Sequence, residues 1–389
     1  ITTLTGAITL GGSATITSFG YNIPANGVGY LDSLLITGSV NIGSYALTTD
    51  VLRGMRIDGV ISGTGSLTKI SNDTLVLGGT NTFTGLTNIN AGVVEVKNNA
   101  AFGGTTAVTG ITTVVSGAGV QIEGSGLVIP EPITISGSGV VVNSLSQGAI
   151  KNIRNKNTWT GPITLGAAAT IVSGTLSGTT SDSLVIATGG INLSSFVLTT
   201  DVVKGMNISG VISGTGGVTK TSADTLIISG ANTYTGATNI NAGVVQLENK
   251  DGLGTSASST TVANLAALKI NGTGYTIPEP LFINGTGINA TGAIRNTTGS
   301  NNLSSLLTVS TAARINVDAG TLTLTNTTKS IELTGALNFG GALGNLTVTG
   351  PMNGAGNFVK DGGANTILTL SGNSIGYTGN ISVGTATTT

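Results

Sequence analysis

LGGTNTFTGLTNINAGVVEV (77–96) is written again 151 positions later as ISGANTYTGATNINAGVVQL (228–247), with thirteen of the twenty pairs identical. The other exchanges are mostly like for like, as Phe83 for Tyr234. The offset runs well beyond this stretch. DVLRGM (50–55) matches DVVKGM (201–206), and VISGTG (60–65) recurs unchanged at 211–216. IPEP (129–132) returns at 277–280, where the offset has dropped to 148. A deletion of that size belongs in a turn, where it leaves a stacked framework intact. A third copy is more worn: LLTVSTAARI (306–315) resembles PITLGAAATI (162–171) and AITLGGSATI (7–16). Self-similarity at a fixed period means stacking, in which each unit buries its apolar face on its neighbours. We therefore expect one continuous β-solenoid over 1–389, with internal units near 1–155, 156–300 and 301–389, the last incomplete.

The finer grain selects the fold class. TLVLG (74–78), TNIN (87–90) and GVVEV (92–96) alternate over about five residues, and Gly, Asn or Ser-Gly separates them. Alternation closed by a turn signal reads as a short strand. Helical periodicity over ten residues or more is nearly missing, so the class is all-β. A sandwich normally carries a larger aromatic core, and here only 4% of residues are aromatic while 62 are glycine. The spacing predicts a right-handed parallel β-helix, with coils of about twenty residues stacked ~4.8 Å apart. On that spacing the chain makes roughly nineteen coils and a rod on the order of 90 Å long. Asn88 and Asn90, with Asn239 and Asn241, are placed to form side-chain ladders at the turns.

GTGSLTKISNDTLVLGGTNTFTGLTNINAGVVEV (63–96) resembles the autotransporter-associated β-strand repeat, also called the passenger-associated transport repeat. The shared pattern is G-x-G-x-L-x-K, then T-L-x-L, N-T-[FY]-T-G and T-x-I-N-A-G. GTGGVTKTSADTLIISGANTYTGATNINAGVVQL (214–247) repeats it, and a third version at 354–387 has lost the N-T dipeptide and the I-N-A-G close. The resemblance implies the secreted passenger of a bacterial autotransporter, or a similar repetitive surface adhesin, and it carries no catalytic residues with it.

Composition narrows the chemistry. There is no histidine and no cysteine, which removes His-based triads, thiolate nucleophiles and the commonest zinc ligands. Sixteen acidic residues balance fifteen basic ones, so nothing marks a nucleic-acid partner. No eighteen-residue apolar run is present, and a membrane-spanning helix is not expected. The opening ITTLTGAITL has no basic n-region, as in a mature or excised segment. The acids are scattered singly, without the paired carboxylates of glycosidases or a calcium repeat. No cofactor and no metal are expected.

Several charged positions invite attention. Asp50 with Arg53, repeated as Asp201 with Lys204, reads as an exposed pair in a corner loop, worth little energetically. Lys69 and Lys220 occupy the lysine position of the repeat and read as solvated strand ends, the alternative role being to discourage lateral sheet pairing. Glu131 and Glu279, flanked by prolines, read as exposed loop residues. The one basic cluster, Lys151, Arg154 and Lys156 beside the sole tryptophan Trp159, is the candidate ligand contact. An exposed indole next to cations would grip a glycan ring; the competing reading is a packed Trp under a solvated loop. Sequons at Asn207, Asn284 and Asn296 are expected by chance in so Thr/Asn-rich a chain. The sequence thus points to a non-catalytic, extracellular structural or adhesive rod on a bacterial surface. Its expected partners are neighbouring repeats or copies of itself end to end, and glycans. The alternatives are a subunit of an end-to-end stacked fibre and a carbohydrate-active β-helix enzyme.

Overall fold

A computed structural model describes residues 1–19, 33–103, 110–175, 182–361 and 365–384. The backbone divides into two units, Ile1–Met206 and Asn207–Thr389. Parts of the worn third repeat copy, 362–364 and 385–387, lie outside the described residues.

Within each unit short strands pair in parallel with the strand one coil earlier and one coil later. In the first unit Met55–Ile57, Ile61–Gly63 and Leu67–Ile70 are the three sides of one coil. Each side has its own column of partners. Ile36 pairs with Ile57, Ile57 with Leu77, Leu77 with Val96 and Val96 with Ile122, and all five side chains are fully buried. The second unit has the equivalent column Ile228, Leu247 and Ile270. Burying each such Val, Ile or Leu is worth about 1.5–3 kcal/mol, an upper figure because the unfolded chain also hides some surface. Alternation sends every second side chain inward, so Leu67–Ile70 and Thr74–Leu77 each bury two of four residues. The parallel β-solenoid expected from the sequence is the observed fold.

Coil length departs from a uniform twenty residues. Leu75 pairs with Val94 nineteen residues on, Val120 with Ile150 thirty residues on, and Thr2 with Leu34 thirty-two residues on. Among the described residues the two units together hold about 15 turns rather than nineteen, because coils such as that from Val120 to Ile150 run well beyond twenty residues. One excursion is an antiparallel hairpin, Val141–Val142 against Leu145–Ser146. Its turn residues Asn143 and Ser144 are both left-handed, at φ 50° and 63°. That backbone twist matches a two-residue hairpin loop. In the second unit the corresponding corner is a single 3-10 turn, Ile288–Ala290.

Glycine lets the coils close up at some corners without any left-handed geometry. A Cβ placed on Gly59 would stand 1.9 Å from Gly38 O, and one on Gly38 would stand 2.0 Å from Gly6 O. No side chain survives such distances. That column of corners is written in glycine because backbone lies directly on backbone.

Candidate functional site

The basic cluster falls on two strands, Ile150–Arg154 and Lys156–Trp159. Strand alternation separates its members. Trp159 points inward, is fully buried, and donates its indole N–H to Glu131 O at 3.0 Å. Arg154 lies outside and pairs with Glu123. Lys151 is half-buried and bonds Gln147 Oε1; burial draws its ammonium downward, opposed by the charge of Asp201. Lys156 is exposed. The structure therefore does not bring the indole and the three cations onto one exposed face, and the packed reading of Trp159 describes its position.

What this stretch builds instead is an internal polar pair. Asn152 pairs with Ile122 on one side and Ser173 on the other, so the apolar column turns polar here. Both Asn152 and Asn157 are fully buried, and Asn157 Nδ2 donates to Asn152 Oδ1 at 2.8 Å. Asn152 Nδ2 donates to Asn155 O and Ser183 O, while Asn157 Oδ1 accepts from Leu127 N at 2.9 Å. The second unit repeats the device. Asn301 Nδ2 donates to Asn296 Oδ1 at 2.7 Å, and Asn301 Oδ1 accepts from Tyr275 N at 2.8 Å. Left-handed Asn155, φ 59°, is replaced there by Gly299, φ 62°. The sequence hid this correspondence because KNIRNKN and IRNTTGSN share little beyond the two asparagines. Asn296 is fully buried, so its sequon is closed in the folded chain.

Lys69 and Lys220 are not solvated strand ends. Both are fully buried. Lys69 Nζ donates to Ile70 O at 2.9 Å, Ser71 O at 2.6 Å and Ala91 O at 3.0 Å. Lys220 Nζ makes the same three bonds, to Thr221 O, Ser222 O and Ala242 O. The geometry follows from a turn in which Ser71 and Ser222 are left-handed, at φ 67° and 64°, so their carbonyls swing inward. Three donors meet three carbonyls, one of them on the next coil. Burial pulls the Lys69 ammonium down to about 8, against the charges of Asp73 and Asp50.

The prolines of I-P-E-P do not expel the glutamates either. Glu131 is 2% and Glu279 3% exposed. Thr112 Oγ1 donates to Glu131 Oε1 at 2.7 Å, and burial raises the Glu131 carboxyl to about 8. Burial raises Glu279 to about 7, with Asp251 adding to the shift. Proline removes backbone donors at a corner; it does not decide which way the intervening side chain points.

The expected asparagine ladders lie elsewhere. Asn90 is exposed, whereas Asn81, 3% exposed, spans three coils. Its Oδ1 accepts from Ile61 N at 2.8 Å and its Nδ2 donates to Ala101 O at 2.6 Å. Asn232 repeats this with Ile212 N and Gly252 O. The Asn of N-T-[FY]-T-G is therefore the stitching residue. Asp50 accepts from Ser71 Oγ and so braces the lysine turn, while Arg53 is exposed. On the outer face of the first unit, Lys97 lies between Glu95 and Glu123, at 3.1 and 2.9 Å. The carboxyl of Glu95 is raised by burial and by Glu123, that of Glu123 lowered by Lys97. Among the described residues no three His, Cys, Asp or Glu side chains converge as metal ligands. Among the described residues no helix is long and apolar enough to cross a membrane.

The family model of the passenger-associated transport repeat matches residues 67–96 and 218–247. Each match opens on the strand of the buried lysine and closes on Gly92–Val96 or Gly243–Leu247, taking in Asn81 or Asn232 on the way. The chain carries two copies of this repeat. No curated protein and no solved structure matches it.

Proposed function

We propose that this chain is a non-catalytic structural and adhesive segment of a bacterial autotransporter passenger, held outside the cell, whose coils space and present lateral surface features. The observation that carries the reading is what the repeat does with its polar residues. Lys69, Asn81 and their copies spend their hydrogen bonds on the backbone of adjoining turns and strands. Groups engaged in this way hold coils together and offer nothing to a substrate. The presenting surface lies in the excursions. The hairpin at 141–146 exposes Val141, Val142 and Leu145, between 48% and 62% accessible, beyond the coil that bears it. Exposed apolar residues gathered on one projection mark contact surfaces.

Cells displaying the 389-residue segment should adhere to coated surfaces or to one another more than cells displaying an unrelated chain. Serine at 141, 142 and 145 together should reduce that gain without lowering the melting temperature. Polysaccharide cleavage by the purified segment would sink the reading in favour of an enzyme. Equal adherence with and without the segment would remove the adhesive part.

A further inference from the structure

Two copies of one corner differ in a way that leaves buried polar atoms unmatched. In the first copy Thr112 Oγ1 donates to Glu131 Oε1, and the Trp159 indole donates to Glu131 O. The counterparts in the second unit are Thr260, Glu279 and Leu303. Thr260 is 1% and Glu279 3% exposed, yet Thr260 Oγ1 and both Glu279 carboxyl oxygens lack any hydrogen-bond partner within the protein. The amide of Glu279 itself approaches the carboxyl without hydrogen-bond geometry.

The backbone frame is the same in both copies. Thr260 N donates to Pro280 O at 2.9 Å, as Thr112 N does to Pro132 O at 3.0 Å. Ile277 pairs with Leu303, as Ile129 pairs with Trp159. The side chains have changed: the indole's bulk and its N–H donor are absent at Leu303, and Tyr234 stands where the first copy has Phe83. Exchanging an indole for an isobutyl group frees on the order of two water volumes, at ~30 Å³ each. The remaining polar groups nearby are already engaged, since the Tyr234 hydroxyl and Thr238 Oγ1 bond each other at 2.5 Å. Polar atoms this deep are met by protein or by ordered water in nearly every fold.

We propose that this corner of the Asn207–Thr389 unit is an internal hydration site, in which one or two buried water molecules bridge Glu279 and Thr260 in the volume freed by the exchange of Trp159 for Leu303. A water both donates and accepts, which suits a carboxyl and a hydroxyl at once. Glu279 and the nearby Asp251 and Tyr234 supply no positive charge, and a carboxyl raised to about 7 by burial is largely neutral in mild acid. A neutral acid takes water in preference to a cation.

The test is a high-resolution crystal structure of the 389-residue chain, grown at about pH 5.5. A density peak within about 2.7–3.2 Å of both Glu279 and Thr260 side chains supports the proposal. In Leu303→Trp the peak should vanish and Thr260 Oγ1 should move onto Glu279, as in the first copy. Should that variant fail to fold, Thr260→Val decides, and its peak should weaken or disappear. A direct Thr260–Glu279 bond in the parent chain overturns the proposal. So does a peak ringed by six or more oxygens at about 2.3–2.6 Å, which would be a cation. A peak unchanged in either variant also overturns it.

Discussion

Lys69 and Glu131 each carry an ionisable group taken out of water, and their pH dependences run in opposite directions. The folded-state value of Glu131, about 8, lies above its ordinary 4.5. Its contribution to stability is therefore full below pH 4.5 and lost as pH rises through about 8. The folded value of Lys69, about 8, lies below its ordinary 10.5, so its contribution is full above pH 10.5 and lost as pH falls through about 8. The melting temperature should fall between pH 5 and pH 8. Glu131→Gln, which keeps an acceptor for Thr112, should flatten that fall by up to a few kcal/mol, at ~1.4 kcal/mol for each tenfold change in proton affinity. Parallel pH profiles for parent and variant would show that Glu131 does not titrate in this window. Neither burial was legible in the sequence. Lysine and a proline-flanked glutamate are usually surface residues, and only the left-handed Ser71 and the corner packing show otherwise. Leu265 is a smaller misfit of the same scale, sitting at φ 63° where the first copy has Gly117 at φ 87°. A branched side chain in that region costs about 1–2 kcal/mol. Leu265→Gly should therefore raise the unfolding free energy measured in denaturant, by up to ~1 kcal/mol after the entropy of the added glycine is set against it.

Strands were legible one by one, because alternation over four or five residues and a closing Gly or Asn are local signals. TLVL and GVVEV are strands as expected. What joins strand to strand was less visible, since a coil's partner lies nineteen to thirty-three residues away and any polar residue can look outward on paper. The internal Asn152–Asn157 pair and the Asn81 stitch both depend on that missing dimension. Glycine is the clearest case at this scale. The composition announced tight turns, and the structure adds backbone-on-backbone contact at Gly6, Gly38 and Gly59. Gly59→Ala should destabilise by about 2–4 kcal/mol, the range of severe overpacking. Gly11→Ala, with nothing within 4 Å of the added carbon, is the control and should stay within about 0.5 kcal/mol of the parent. Equal effects in urea denaturation would show that the corner relaxes and that glycine is dispensable there.

For the molecule as a whole, the repeat period and the fold class were written plainly in the 151-residue offset, while the number of coils was not. An average of twenty residues per coil overlooks corner excursions such as the hairpin at 141–146. The interior is held by apolar columns and by side chains bonded to backbone. Chelator should accordingly leave the melting transition of the full chain where it was, within about 1 °C (well under the change of ~2–4 °C that 1 kcal/mol produces even in larger domains). A large drop in differential scanning calorimetry would reveal a structural metal. The two buried lysines have a further consequence. Their amines are sealed once the coils close, yet in an unfolded chain they are open to any acylating reagent. Brief pulses of such a reagent during refolding would tag Lys69 until the first copy closes and Lys220 until the second does. Peptide mass spectrometry of the tagged positions would then time the closure of each repeat separately, so the chain carries a two-channel chemical clock for the order in which its copies wind up.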